Sequence, residues 1–275
     1  MRLLCLIVAC ATLLLRPAFA EPRVLSDLSY GPDADQAVDV YLPDTLSAQS
    51  PVLVMVHGGG WIIGDKTNDR VWEEKQAHWG ALGYVFVSVN YRMLPDAPVA
   101  VQASDVASAL KFVQDHAAQW GGDPAQLVLM GHSAGAHLAA LIAADRALQA
   151  KAGLAPWRGT VLLDSAALDV PSLLAPPDPP RYAVRAFGED PELWIALSPR
   201  HRLSAPSGQF FLICSSQRET SCPEARKFAD SVHDTGGAAQ VLPVDLSHAE
   251  INSTLGSNPI TTPAVDSFFH SLSLP

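Results

Sequence analysis

Leu127-Val-Leu-Met-Gly131-His132-Ser133-Ala134-Gly135-Ala136-His137-Leu-Ala-Ala140 is the stretch on which the reading of the whole chain turns. The apolar run Leu127 to Met130 reads as a buried strand. Ala134 to Ala144 reads as a helix, because Ala and Leu are strong helix formers. Between them lies Gly-x-Ser-x-Gly. A serine at so tight a strand-to-helix turn is held in a strained backbone conformation, with its hydroxyl pushed clear of the sheet. Gly131 and Gly135 fit because side chains there would collide with the neighbouring strand and helix. The helix N-terminus turns its free N–H groups and positive dipole end toward whatever bonds to Ser133.

Upstream, Val52-Leu-Val-Met-Val56 is followed by His57-Gly58-Gly59-Gly60-Trp61. Another apolar run, here valine-rich, ends in a glycine cluster. Bare backbone lets N–H groups approach a ligand closely. Two of these, on Gly59 and Gly60, can join the N–H of Ala134 in holding the oxyanion of a tetrahedral intermediate. The two motifs in this order resemble the α/β-hydrolase superfamily, and within it the esterases related to hormone-sensitive lipase and the carboxylesterases. The stretch His57 to Lys66 is similar to the small bacterial branch of those esterases, and the resemblance runs over nearly all of residues 24–272. It implies a serine hydrolase that works through an acyl-enzyme without metal or organic cofactor.

The coarse pattern agrees with that fold class, α/β. Arg23 to Tyr30 and Ala37 to Leu42 read as an opening hairpin. Strands are expected at Val52 to Val56, Tyr84 to Val89, Leu127 to Met130, Thr160 to Leu163, Gln209 to Cys214 and Ala239 to Val244. Helices are expected at Trp72 to Ala81, Val101 to Trp120, Ala134 to Ala144, Pro223 to Thr235 and Pro263 to Leu272. Such alternation means a mostly parallel central sheet with helices on both faces. Residues 165–207 carry many prolines, which break long helices. The segment is too short for an independent core, and in an α/β-hydrolase it reads as part of the wall over the site.

The start of the chain has an organisation of its own. Arg2, an apolar run from Leu3 to Leu15 and Ala18-Phe19-Ala20 form the pattern of a secretory signal over residues 1–20. The run is too short to span a membrane, so a membrane anchor is not expected. Residues 21–275 are then expected to form one domain, exported to the periplasm or medium. Cys214 and Cys222 remain after cleavage, an even pair in a secreted chain, which suggests a disulfide. The formal net charge of −10 argues against nucleic acid as a partner. No Cys/His cluster has metal-ligand spacing, and no phosphate or dinucleotide fingerprint is present. The expected partner is a small-molecule ester.

In this fold the triad runs Ser, acid, His along the chain. His248 follows the last strand, at the carboxyl edge where open α/β sheets place their sites, and its surroundings Leu246 to Asn252 resemble the histidine loop of the bacterial esterases. The family's acid usually sits on the loop after the strand that here ends at Cys214. That loop departs from the family's Gly-x-x-Asp, and Glu219 is its carboxylate; Asp164 and Asp169, after an earlier strand, are the rivals. Asp105 is assigned a structural role. The bracketing cysteines would restrain the Glu219 loop. Trp61, Ile62, Ile63, Trp157, Tyr182 and Trp194 are equally divided between pocket and core. Beside carboxylic-ester hydrolysis, the same triad admits an arylformamidase or lactonase. A non-catalytic binding module of the same fold commonly loses the serine or histidine that this chain keeps.

Overall fold

A computed structural model of the chain describes residues 23–45, 47, 49–165, 167–206 and 208–275. The expected signal at 1–20 lies outside the described residues. The strands are β1 (Arg23–Ser29), β2 (Ala37–Leu42), β3 (Ser50–Val56), β4 (Val85–Val89), β5 (Gly122–His132), β6 (Gly159–Leu163), β7 (Gln209–Ser215) and β8 (Ala238–Val244). They form one sheet in the order β1-β2-β4-β3-β5-β6-β7-β8. From β4 to β8 all pairings are parallel; β2 alone runs against its neighbours.

Period two along the strands divides the core. Val52, Val54 and Val56 of β3 pack on one face, with Leu127 and Leu129 of β5. Leu53 and Met55 pack on the other, with Val128 and Met130. The first face is covered by α2 (Val99–His116), which ends in a 3-10 turn at Ala117–Trp120, and by α3 (Ala134–Ala144) and α9 (Ser221–Asp234). The second is covered by α1 (Asp69–Ala81) and α11 (Thr261–Ser271), through Trp79 and Phe269. α3 is the alanine-rich helix, and Leu138, Ala139, Ala140 and Ile142 are wholly buried. Its small residues let it sit close against the sheet, so its N-terminus is rigidly aimed.

The elements follow the sequence pattern with three differences. Arg146–Ala152 forms a short helix, α4, N-capped by the Asp145 carboxylate on the N–H groups of Ala147 and Leu148. The proline-rich segment forms α5 (Val170–Leu174), α6 (Arg181–Phe187), α7 (Pro191–Ala196) and α8 (Pro199–Arg202). Proline starts three of these, lying in the first turn of α5, α7 and α8, where its missing N–H costs nothing. Finally, His248 is not in a loop. It opens the helix α10 (His248–Ser253), whose Ser247 and Glu250 form a reciprocal capping box.

Candidate active site

Register alone brings the two glycine motifs together. Val56 of β3 pairs with Gly131 of β5, so the glycine cluster and Ser133 leave adjacent parallel strands at the same edge. This is where the strand order reverses direction, the usual ligand position in open α/β sheets. On the other side His132 pairs with Leu163 of β6, which sets Asp164 beside the serine. Asp164 in turn donates its N–H to Ile213 O of β7 at 2.8 Å. β8 completes the edge and delivers His248.

Ser133 has φ 56° and ψ −117°, a region that L residues rarely occupy. The surrounding structure over-determines that strain. Ser133 N–H donates to Leu163 O at 2.9 Å. A Cβ on Gly135 would lie 2.2 Å from Val56 O, and one on Gly131 would lie 2.3 Å from Gly135 O, so neither glycine tolerates a side chain. The glycine loop passes close by: a Cβ on Gly58 would come within 2.9 Å of Ser133 Cβ. Gly59 has φ +122°, and a Cβ there would meet Ile63 O at 1.5 Å. Only glycine makes that turn. His57 stacks on Tyr91 with ring centroids 4.5 Å apart, and Tyr91 Oη donates to His57 O at 2.9 Å. The imidazole of His57 is thus packed inside the loop, where burial lowers its pKa.

Gly59, Gly60, Trp61, Ser133, Ala134 and His248 line one cavity of about 500 Å³. Asp164, Tyr182 and Arg218 also face it. Ala134 is the first residue of α3, so its N–H lacks a helical partner. The sequence-predicted residues Ser133, His248, Gly59, Gly60 and Ala134 therefore converge on one space.

Glu219 does not join them. It is exposed, and among the described residues no hydrogen bond or ion pair links it to His248. The carboxylate at His248 is Asp164, whose Oδ2 lies 2.5 Å from Nδ1. Asp164 itself has φ +51°, which turns its side chain from the end of β6 under the imidazole. The reason is geometric. In the β7–α9 loop the residue turned to the site is Arg218, and its neighbour Glu219 faces solvent. Asp169, the other rival, is held by Arg200 Nη1 at 2.9 Å and His201 Nε2 at 3.2 Å.

The Asp164 side chain is fully buried and fully used. Oδ1 accepts from Ser215 N–H at 2.8 Å and from the Ser221 hydroxyl. Oδ2 accepts from His248 and, at 2.5 Å, from Arg218 Nη1. Burial alone would raise the carboxyl pKa. The hydrogen bonds from His248, Ser221 and Ser215, with the Arg218 charge, outweigh it and hold the group well below the ordinary carboxylate range. Cys214 and Cys222 form a disulfide that brackets the loop supplying these donors.

His248 is positioned from three sides. Ser215 Oγ donates to Leu246 O, just ahead of it, at 2.6 Å. His132 Nε2–H donates to His248 O at 3.0 Å, with the two rings 4.5 Å apart. Burial, with the neighbouring His248, pushes the pKa of His132 down to about 3, so it serves as a neutral donor. Lys75 Nζ, wholly buried on α1, donates to Asn252 O at the far end of α10 at 2.5 Å. Burial lowers its pKa to about 7. His137 is satisfied on both nitrogens, by Trp61 Nε1–H at 3.2 Å and by Leu197 O at 2.8 Å. Asp105 forms a bidentate pair with Arg92 and accepts from Gln36, remote from Ser133.

Arg218, Ser221, Ser215 and Lys75 had no sequence signal, since each acts across a long separation. Of the six large apolar residues, Trp61 and Tyr182 line the cavity, stacked with centroids 6.2 Å apart. Ile63 is 70 % exposed beside the glycine loop, and Trp157 and Trp194 pack against the core from elsewhere. Among the described residues no group of three or more His, Cys, Asp or Glu side chains could hold a metal ion, and no helix is long and apolar enough to cross a membrane.

Comparison with known proteins gives a consistent picture. The BD-FAE family model matches residues 38–156. Esterase LipQ of Mycobacterium tuberculosis is 29 % identical over 246 residues, 82 % of this chain and 55 % of that protein. A probable isoprenylcysteine alpha-carbonyl methylesterase of Arabidopsis thaliana, ICMEL1, is 31 % identical over 156 residues, 51 % of this chain and 30 % of that protein. The chain thus spans between about a third and just over half of the length of these relatives. Among solved structures, a truncated carbohydrate esterase from gut microbiota superposes with a TM-score of 0.79 at 16 % identity, covering 91 % of this chain and 96 % of that one. Esterase B from Lactobacillus rhamnosus gives 0.72 at 21 % identity, covering 91 % and 85 %. At these identities the superpositions establish the fold.

Proposed function

We propose, on the premise that this chain is an α/β-hydrolase related to the carboxylesterases and to the esterases of the hormone-sensitive-lipase kind, that it hydrolyses carboxylic esters of small or moderate size. The mechanism is a serine acyl-enzyme with Ser133, His248 and Asp164 as triad. The observation that carries this reading is the meeting of a strained serine elbow with a His248–Asp164 pair in one cavity.

Asp164 fixes the proton of His248 on Nδ1, which leaves Nε2 free as the base. Nε2 takes the Ser133 proton as Oγ attacks the ester carbonyl. The N–H groups of Gly59, Gly60 and Ala134 receive the oxyanion; removing one such donor typically raises a barrier by about 3 kcal/mol. His248 then passes the proton to the leaving alcohol, and next activates water to cleave the acyl-enzyme. Asp164 stays ionised throughout, since its four donors stabilise the carboxylate. The single domain and its export to periplasm or medium belong to the same reading, supported by the apolar N-terminal run and the disulfide.

A fluorophosphonate probe tests the proposal. It should label Ser133 stoichiometrically and abolish hydrolysis of p-nitrophenyl butanoate, and Ser133→Ala should be folded, unlabelled and inactive. Labelling of a different residue would overturn the assignment. A panel that adds an aryl formamide and a lactone separates ester hydrolysis from its nearest alternatives.

A further inference from the structure

Arg218 carries more donors than the triad uses. Nη1 is engaged with Asp164 and lies 3.0 Å from His248 Nδ1. Nε and Nη2 have no protein partner among the described residues, and the side chain is 30 % exposed. Arg218 faces two spaces: the cavity that holds Ser133 and an adjoining one of about 330 Å³. Leu173 and Tyr182 are shared between them; Pro176 and Glu224 line the second.

We infer that the second cavity is a subsite for the distal arm of the ester, and that Arg218 there recognises a neutral hydrogen-bond acceptor, a carbonyl or ether oxygen. The inference rests on the esterase reading given above. Leu173, Pro176 and Tyr182 provide an apolar wall for a carbon chain. The polar group facing it is a guanidinium, which can only donate, so the matching ligand group is an acceptor. Charge decides between neutral and anionic acceptors. The Arg218 charge is already matched by Asp164 at 2.5 Å. Glu224 adds a carboxylate to the same cavity, offset only by the half-exposed Lys227 at 2.8 Å. An anionic arm would meet that carboxylate without a free cation. A donor-bearing arm gains little, because Glu224 Oε1 is taken by Lys227 and Oε2 is sealed from solvent.

The test compares kcat/KM for length-matched esters ending in methyl, methyl ether, methyl ester or carboxylate. Two series place the variable arm on the acyl side (p-nitrophenyl esters) or on the alcohol side (acetates). The full-length protein should favour the ether or ester end over methyl by about tenfold in one series, the value of a hydrogen bond to a charged donor. The carboxylate end should gain nothing. Arg218→Met should lower every rate, since Asp164 loses a partner, and should also erase the preference, which is a ratio and so cancels the common loss. Pro176→Trp, away from the triad, should fill the second cavity and remove the preference, with p-nitrophenyl acetate hydrolysis showing that the variant is folded and active. Equal rates for methyl and acceptor ends in both series, a preference that survives both variants, or a larger gain for carboxylate would overturn the subsite. Failure to hydrolyse any ester in the panel would instead overturn the esterase reading beneath it.

Discussion

Asp164→Asn should be nearly inactive, and the reason can be followed atom by atom. Oδ1 accepts from Ser215 N–H at 2.8 Å and from the Ser221 hydroxyl, whereas Oδ2 accepts from His248 Nδ1 and from Arg218 Nη1, each at 2.5 Å. An asparagine will leave its carbonyl oxygen on the Ser215 and Ser221 side, because the buried Ser215 N–H has no other acceptor among the described residues whereas the part-exposed Arg218 can turn to water. Its NH₂ then points at His248. Nδ1 must accept, the imidazole proton moves to Nε2, and Nε2 can no longer take the proton of Ser133. Loss of the productive tautomer costs on the order of 10⁴-fold in kcat, about 5.4 kcal/mol of barrier. Glu219→Gln should stay within about twofold of the parent, because nothing couples that exposed side chain to the imidazole. The assay is kcat on p-nitrophenyl butanoate for each purified variant, normalised to phosphonate-titratable sites, with thermal melts to show that both fold. Asp164→Asn keeping more than about a tenth of the parent rate, or Glu219→Gln losing more than about nine tenths, would refute the assignment.

Acid should destabilise the fold well above the range of the carboxylates. His132 and His137 are held neutral by burial, with pKa values near 3 and 4 against 6.5 when unfolded. As pH falls from about 6.5 toward 4 the unfolded chain binds two protons that the native state refuses, so these groups remove up to about 2.7 kcal/mol of stability per pH unit. Urea melts at pH 7, 5.5 and 4.5 measure the slope, and a flat profile over that range would contradict the burial argument. Opening the Cys214–Cys222 bond, which spans a sequence separation of 8, should lower stability by about 2.5 kcal/mol. It should also slow turnover, by loosening the loop that holds Asp164; the doubly serine-substituted protein, assayed for melting and kcat, checks both. In a bacterial host, the mature protein recovered outside the cytoplasm should begin at Glu21, which N-terminal sequencing reads directly.

The sheet class, the serine elbow, the glycine loop and the late histidine are all visible in the sequence. These are legible because they are local: a run of alternating or apolar residues, a glycine forced by its own turn, a strand that must end where its pattern ends. The capping box at Ser247 and Glu250 was equally local, and it marks α10 where the chain reads otherwise as loop. The proposal of Asp164 as the acid comes from tertiary structure alone. Asp164 and His248 are 84 residues apart, and they meet because β6 lies beside β5 and its register ends level with Ser133. On the β7 loop the choice between Arg218 and Glu219 is one of side-chain direction, set by how that loop leaves the sheet. The Lys75 tether to α10 crosses 177 residues and exists only because α1 packs against α10. Partners chosen by strand order and helix packing leave no period or spacing in the sequence, and so the proposed nucleophile and base carry local signals while the carboxylate proposed beside them carries none.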